Sequence, residues 1–595
     1  MIAFRNVTVT PLLAILFLAA LPLPGQTGTP VFNSDPTVHD PSVIHTGDRW
    51  YVYGSHGASA WTEDLMNWTQ VATSVYSGNP PHFTNFKTDL SELVSWTNAD
   101  SLWAPDVIQL DDGKFYYYYC VWTNYYNYRS YLGVAVADNI EGPYTHKAEI
   151  LKGGTGISGF NPSVDPNTID PTLFWDAEGK LQMVYGSYSG GIFIMEMDPE
   201  TGLQLPNQSW GTHLWGGSHG RIEGPFIIYN PETEYYYLFV SYYGLDVNDG
   251  YNIRVARSRN PDGPYLDLNG ADMVNAKGSD SSIAPYGVKL MGGYRFVHLS
   301  GEPGSSATGY LSPGHCSVDY DAENNKYYLF FHTRFLYSGN LHQVRVHQIY
   351  FNEDGWPVVA PHRYAGETRR SYPSSILSGT WKLVDHSPKT RYINVKDSVE
   401  VTLNANGTVS GTLSGTWTVP DGRDIRLTLG GTQYRGVLSH QWDFDNGVWV
   451  ICFSALSSDG VALWGSQKAV SRSSLETWRL IHFGSAANTG DGSDTADPNG
   501  NDIPNLMEYA TQADPLAFGN PGPVMNIVDG KIHYTFRRIM DPGLTYTIFG
   551  SGDLKNHSNL WSSSGSANSI DTVEYEDSVN VLNSPRRFIQ LGVSR

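Results

Sequence analysis

The chain is poor in cysteine: Cys120, Cys316 and Cys452 are the only three in 595 residues. They lie far apart and are odd in number, so there is no disulfide framework and no closely spaced metal-binding pair. Stability must come from core burial and from bound ions. Positive charge is also scarce, with 38 Lys+Arg against 59 Asp+Glu and a formal charge of -21. Nucleic acid and anionic membrane are thereby excluded as main partners, because phosphate binding needs a basic face. Long apolar runs are missing beyond the N-terminus, which predicts no transmembrane anchor. The one apolar stretch, Leu12 to Leu23 behind Arg5, is too short for a bilayer and reads as the core of a secretory signal peptide spanning residues 1–28. No cysteine stands near it, which argues against a lipid anchor. What the chain does hold is aromatic and turn-forming: 38 Tyr, 17 Trp, 61 Gly and 34 Pro. Such a composition buries large cores and cuts the chain into many short strands. The expected class is all-β, in three or four units.

Internal similarity gives the organisation. One pattern recurs: an unusual residue, a short apolar strand, a turn with Asp, Gly or Asn, then an aromatic-rich strand. The copies are DPSVIHTGDRWYVYGSH from Asp40, APDVIQLDDGKFYYYYCVW from Ala104, DPTLFWDAEGKLQMVYGSY from Asp170, EGPFIIYNPETEYYYLFVSYY from Glu223 and HCSVDYDAENNKYYLFFHTRF from His315. Each reads as a β-hairpin. Trp61 to Trp68 and the paired turns Glu141–Tyr144 and Asp262–Tyr265 look like blade edges. Five such units predict a five-bladed β-propeller over residues 29–372. A β-sandwich would not explain why unusual residues recur at one phase of each repeat.

That phase carries the chemistry. The first strand of every propeller blade lines the axis, so the repeat starts should converge on one funnel holding Asp40, Asp170, Glu223 and His315. The second repeat has Ala104 at this phase, with Trp103 before it and Asp106 two residues on. Two carboxylates across a sugar-sized gap suit glycosidic bond hydrolysis: one protonates the leaving oxygen while the other activates water or attacks the anomeric carbon. A third carboxylate nearby can raise the pKa of the acid by like-charge repulsion. An aromatic wall such as Trp103 can stack on a sugar face. Taken singly, each carboxylate is an ordinary turn cap; the shared phase is what points to a site. The tyrosine runs Tyr116–Tyr119 and Tyr235–Tyr237 read instead as packing between blades, because alternate strand positions face opposite sides.

The segments HDPS (39–42), WAPD (103–106), NTIDP (167–171), SHGRIEGP (218–225) and SPGHCS (312–317) resemble glycoside hydrolase family 43. The stretches 186–202 and 241–265 look like its endo-α-1,5-L-arabinanase members. The resemblance covers the whole propeller in order. It implies Asp40 as general base, Glu223 as general acid, Asp170 as the residue that tunes and orients the acid, and inversion at the anomeric centre. It also implies substrate contacts at Trp103 and Asn167, and arabinan or its oligosaccharides as the substrate. His315 matches an axial histidine beside a hydrated calcium ion. Imidazole is a poor calcium ligand, so water should fill most of that shell. The alternatives are an exo-acting α-L-arabinofuranosidase or β-xylosidase on the same fold, or a carbohydrate-binding propeller without catalysis. The repeated boxes of sialidases and the N-terminal motif of fructan hydrolases do not occur.

Near residue 370 the pattern changes to regular short strands with Asp-Gly and Asn-Gly turns, which predict a small antiparallel β-barrel over 375–472. It resembles the C-terminal barrel of some extracellular arabinanases. From 475 to 595 the chain reads as a β-rich module with a Gly/Asn/Asp-rich opening, an attachment or sorting unit for a cell-surface partner. Within it Asp497, Asn499, Asn501, the carbonyl of Ile503 and Glu508 fall at positions 1, 3, 5, 7 and 12 of an EF-hand-like calcium loop. Asp502 stands at the sixth position, where that loop has glycine.

Overall fold

The fold is taken from a computed structural model that describes residues 29–595 except 79–81, 124–127, 305–306, 368, 370, 519–522, 540, 565–569 and 584–585. The expected signal peptide, 1–28, lies outside the described residues. Two compact units follow one another: one runs to Asp494 and the other begins at Thr495. Strands dominate both, and no helix among the described residues is long and apolar enough to cross a membrane.

The first unit opens with a series of antiparallel sheets in chain order. Four have four strands each, within residues 42–73, 103–154, 172–215 and 222–291. The next sheet, within 294–359, gains an extra strand when Lys396–Asp397 pairs in parallel with Tyr294–Arg295. The opening strands are Ser42–Thr46, Trp103–Gln109, Thr172–Trp175, Ile222–Asn230 and Tyr310–Asp321. Each is the expected repeat start, hairpinned to its aromatic-rich partner. The tyrosine run shows why the strands alternate. Tyr117 and Tyr119 pack into the core on one side of the second sheet, while Tyr116 and Tyr118 pack into the core on the other.

The backbone repeats at a finer level. Where the regular pairing of each opening strand begins, or is interrupted, stands a residue in the left-handed region: Asp40 (φ 55), Ala104 (φ 24), Asp170 (φ 55), Gly224 (φ 59) and His315 (φ 47). Bulges in the second, fourth and fifth sheets mark the same place. A proline follows four of the five residues, where the missing N–H costs no ladder bond. The five amides are then passed from sheet to sheet. Ala104 N donates to Ser55 Oγ (2.9 Å), Asp170 N to Cys120 Sγ (3.3 Å), Gly224 N to Asp170 Oδ2 (3.2 Å) and His315 N to Ser241 Oγ (2.7 Å). Asp40 N closes the series by donating to His332 Nδ1 of the last sheet (3.1 Å). The series of sheets is therefore a closed ring.

Strands within 379–467 form the closed eight-stranded antiparallel barrel expected from the turn spacing. Trp381, Leu383, Leu427, Phe453 and Leu463 fill its interior. Lys382, fully buried, pairs with Asp443 of the barrel (3.4 Å) and with Glu302 of the segment between the last ring strands (2.9 Å), so barrel and ring share one buried charge cluster. The helix Ser474–Phe483 follows, capped by Ser473 and Glu476. In the second unit a short helix, Asn505–Thr511, accompanies two three-stranded sheets within 524–580 and 545–594.

Candidate active site

The ring brings the repeat starts to one cleft of about 530 Å³. His39, Asp40, Trp103, Asn167, Asp170, Glu223 and His315 all line it. A larger groove of about 750 Å³ opens elsewhere, beside Asp176, Glu196 and Arg259, but it contains none of these residues. The chemistry belongs to the smaller cleft.

Glu223 reaches the site from a different backbone position than the repeat pattern suggests. The residue equivalent to Asp40 and Asp170 is Gly224, and Glu223 precedes it, at the level of Trp103 and Gly314. A side chain could not stand at 224: a Cβ there would lie 3.0 Å from the His315 ring, in a left-handed backbone. Glycine lets the fourth strand come close to His315, and the bulge turns Glu223 inward. Its Oε2 accepts from Ser187 Oγ (3.0 Å) and its Oε1 from Tyr251 OH (3.0 Å). The Tyr251 ring in turn lies so close to Gly314 that a Cβ at 314 would fall 2.1 Å from it.

Asp40 sits in a nest of histidines that the repeat pattern does not reveal. His39 Nδ1 lies 2.8 Å from Asp40 Oδ2, which also accepts from Ser55 Oγ at 2.6 Å. His315 Nδ1 stands 3.2 Å from Oδ1, and His332 Nδ1 3.5 Å. Oδ1 itself takes no hydrogen bond from the described residues. Burial works to raise the pKa of Asp40, yet His39, His315 and His332 bring it well below the ordinary carboxylate range. Burial holds His315 and His332 below the usual imidazole value, and His39, through its charge first and its hydrogen bond after that, is the main influence lowering Asp40.

The other two carboxylates shift the opposite way. Burial, followed by the charge of Asp40, raises Glu223 to about 7. Burial, then Glu223, then Asp40, push Asp170 well above the carboxylate range. Asp40 thus acts as a like charge on both carboxylates, and Glu223 and Asp170 are like charges beside one another. What Asp170 does visibly is hold Gly224 N, the amide next to Glu223. Asp106 is also buried and raised, to about 6, mainly by desolvation. It does not line the cleft: its carboxylate accepts from Ser42 Oγ of the first sheet and Leu173 N of the third, tying neighbouring sheets together.

The remaining expected residues divide by place. Trp103 meets Trp122 edge-on at 6.1 Å in the cleft wall. Asn167 is buried and its Oδ1 has no hydrogen-bond partner among the described residues. Asp497, Asn499, Asn501 and Glu508 come together in the second unit, where both amides donate to Glu508 Oε1. His39, Asp40 and His332 form the group of donor atoms close enough for a metal, and it is rich in nitrogen, which suits a hard cation poorly.

The model for glycosyl hydrolases family 43 matches residues 28–357. The chain belongs to this family. A second model, for a C-terminal lipocalin-like domain, matches 361–465, the region of the barrel. Among characterised relatives, the extracellular endo-α-(1→5)-L-arabinanase 2 of Bacillus subtilis is 48% identical over 472 residues, covering 77% of this chain and 99% of that protein. The extracellular endo-α-(1→5)-L-arabinanase of Thermotoga petrophila is 45% identical over 471 residues, 76% of this chain and 98% of that one. The crystal structure of the family 43 YxiA protein from Bacillus licheniformis superposes with a TM-score of 0.70 at 49% identity, covering 74% of this chain and 100% of that one. Family 43 is a β-propeller family, and the ring of sheets is that propeller.

Proposed function

We propose that this family 43 glycoside hydrolase is an extracellular endo-α-1,5-L-arabinanase that inverts the anomeric centre. The five sheets within 42–359 are read as its five blades, 1–28 as its export signal, and 475–595 as an attachment or sorting module. One observation carries the mechanism: a single cleft holds both Asp40, whose histidine neighbours lower its pKa, and Glu223, whose burial and the charge of Asp40 raise its pKa to about 7. That is the division of labour an acid–base pair requires.

Asp40 Oδ1, with no protein hydrogen bond, takes a proton from water as that water attacks the anomeric carbon. Glu223 gives its proton to the departing glycosidic oxygen. Attack and departure occur on opposite faces in one step, so configuration inverts, and proton and electron pairs balance without a covalent intermediate. Asp170 is a positioning residue: by holding Gly224 N it fixes the bulge from which Glu223 projects. Trp103 offers a ring face to a sugar, and Asn167 Oδ1 an acceptor for a hydroxyl. A hydrated calcium ion against His315 would add positive charge beside Asp40 and Glu223; no step runs through it. Turnover before and after chelation, and in His315→Ala, tests that ion.

The two relatives at 45% and 48% identity, both named endo-arabinanases, favour internal cleavage over the exo-acting alternative. The test is the product series on linear arabinan, combined with early proton NMR of the new reducing ends. A ladder of oligosaccharides with β-configured ends is expected. Monomer alone would refute endo action, and prompt α-configured ends would refute Asp40 as a base.

A further inference from the structure

The segment from Asp497 to Glu508 lies outside both regions matched by family models, 28–357 and 361–465. Its side chains alternate. Asp497, Asn499, Asn501 and Ile503 are half-buried, while Pro498, Gly500, Asp502 and Pro504 between them are exposed. The inward-facing residues are thus the ones that carry oxygen at every second position. Asp497 Oδ1 accepts from Gly500 N (3.0 Å) and Asn501 N (3.1 Å), and its Oδ2 from Asp502 N (2.8 Å), which curls the loop around that carboxylate. At the sixth position Asp502 takes φ 64, the left-handed turn that glycine would otherwise supply. The sequence departs from the loop pattern there, but the backbone does not.

Glu508 decides the matter. It stands on the helix Asn505–Thr511, is fully buried, and points back at the loop. Oε1 accepts from the side-chain amides of Asn499 (2.8 Å) and Asn501 (3.1 Å). Oε2, equally buried, has no partner among the described residues. An uncompensated buried carboxylate oxygen is costly, by several kcal/mol when charged. A divalent cation would satisfy Oε2 and neutralise Asp497 and Glu508 together.

We propose that the loop 497–508 binds one calcium ion, through Asp497, Asn499, Asn501, the Ile503 carbonyl and both oxygens of Glu508. The donors are all oxygen, which excludes zinc or copper as the preferred ion. A bidentate carboxylate gives the larger, irregular shell of calcium over the tight octahedron of magnesium. The ion joins the loop to the helix, and the helix is tied to the sheets of its own unit by Tyr509 OH to Asp541 (2.6 Å). Calcium is thus part of what orders this module.

The test is isothermal titration of calcium chloride into chelator-stripped full-length protein, with magnesium chloride as control. Limited proteolysis across 495–512 follows in parallel. Glu508→Gln is expected to bind one ion fewer per chain than the wild type and to lose calcium-dependent protection, with arabinan turnover unchanged. Asn501→Asp, which adds a third carboxylate to the shell, is expected to bind calcium at least several-fold more tightly, a gain that misfolding cannot imitate. Equal ion counts in wild type and Glu508→Gln, no gain in Asn501→Asp, or equal uptake of magnesium would overturn the proposal.

Discussion

The ring of sheets and the barrel lie in one compact unit, and both are antiparallel, yet they treat the backbone differently. Within the barrel, 379–467, no described residue other than glycine has a positive φ. In the ring Asp40, Ala104, Asp170 and His315 all do, each at the start of a sheet and on the wall of the cleft. Left-handed geometry costs a non-glycine residue roughly 1–2 kcal/mol. It persists only where surrounding contacts dictate it. Here the dictating contacts are the five amide hydrogen bonds passed around the ring. The barrel is regular because it only has to pack; the ring is strained where it has to aim side chains.

If this contrast is right, substitutions in the two regions should fail in different ways. The largest effect is expected from Glu223→Gln. It should lower kcat on arabinan by about 10²–10⁴-fold, the usual share of general acid–base catalysis, while leaving Tm almost unchanged. A substrate with a good leaving group should suffer much less; equal loss on both would refute the acid role. Lys382→Met should do the reverse. Removing one partner of a buried charge cluster costs about 3–5 kcal/mol, so Tm should drop, while kcat per folded molecule holds. A kcat loss matching that of the Glu223 variant would erase the distinction between the regions.

A subtler test is the pH profile of kcat/KM. Glu223 works protonated, and its pKa is raised to about 7, so the rate should fall as pH rises through that value. Asp40 works ionised, and its pKa is lowered, so the acid limb should lie below the ordinary carboxylate range. In Glu223→Gln the alkaline limb should vanish and the acid limb remain. The smallest effect concerns strain itself. Ala104→Gly relieves a left-handed alanine, which offsets the roughly 0.5–1 kcal/mol that glycine costs elsewhere. Its Tm should stay within a few degrees of the parent, whereas glycine at Val401 in the barrel interior should lower it clearly.

Much of this was legible in the sequence, because the repeats carry their hairpins in plain alternation and turn residues. Asp40 and Asp170 could be found because an Asp-Pro start recurs at a fixed phase, and family resemblance placed Glu223. Its register was taken one residue off, although Gly224-Pro225 matches Asp40-Pro41 and Asp170-Pro171 and so marks Gly224 as the equivalent position. Of the histidines around Asp40, His315 was placed by its phase and His39 by its motif, but His332 was hidden. His332 lies mid-strand in an aromatic run, 292 residues away, and nothing local marks it as facing inward. Asp106, which stands two residues past Ala104, is a tie between sheets, which the spacing does not show. In the loop 497–508, the spacing was visible but the burial of Glu508 was not.

The closing bond of the ring, from Asp40 N to His332, also has a meaning in time. Asp40 stands at the start of the ring in the order of synthesis and His332 in its last sheet. Between them the first sheet has no neighbour on one side, and the nest of His315 and His332 does not yet exist. Bringing ends so distant together carries a loop-closure cost that grows only slowly with length, but it cannot begin until the last sheet has been made. A chain cut short between Glu223 and His315 would carry Asp40, Asp170 and Glu223 and still lack the His315 and His332 side chains that complete the cleft around the base. Catalytic competence thus waits for a complete ring, so an unfinished chain is kept inert by its own geometry.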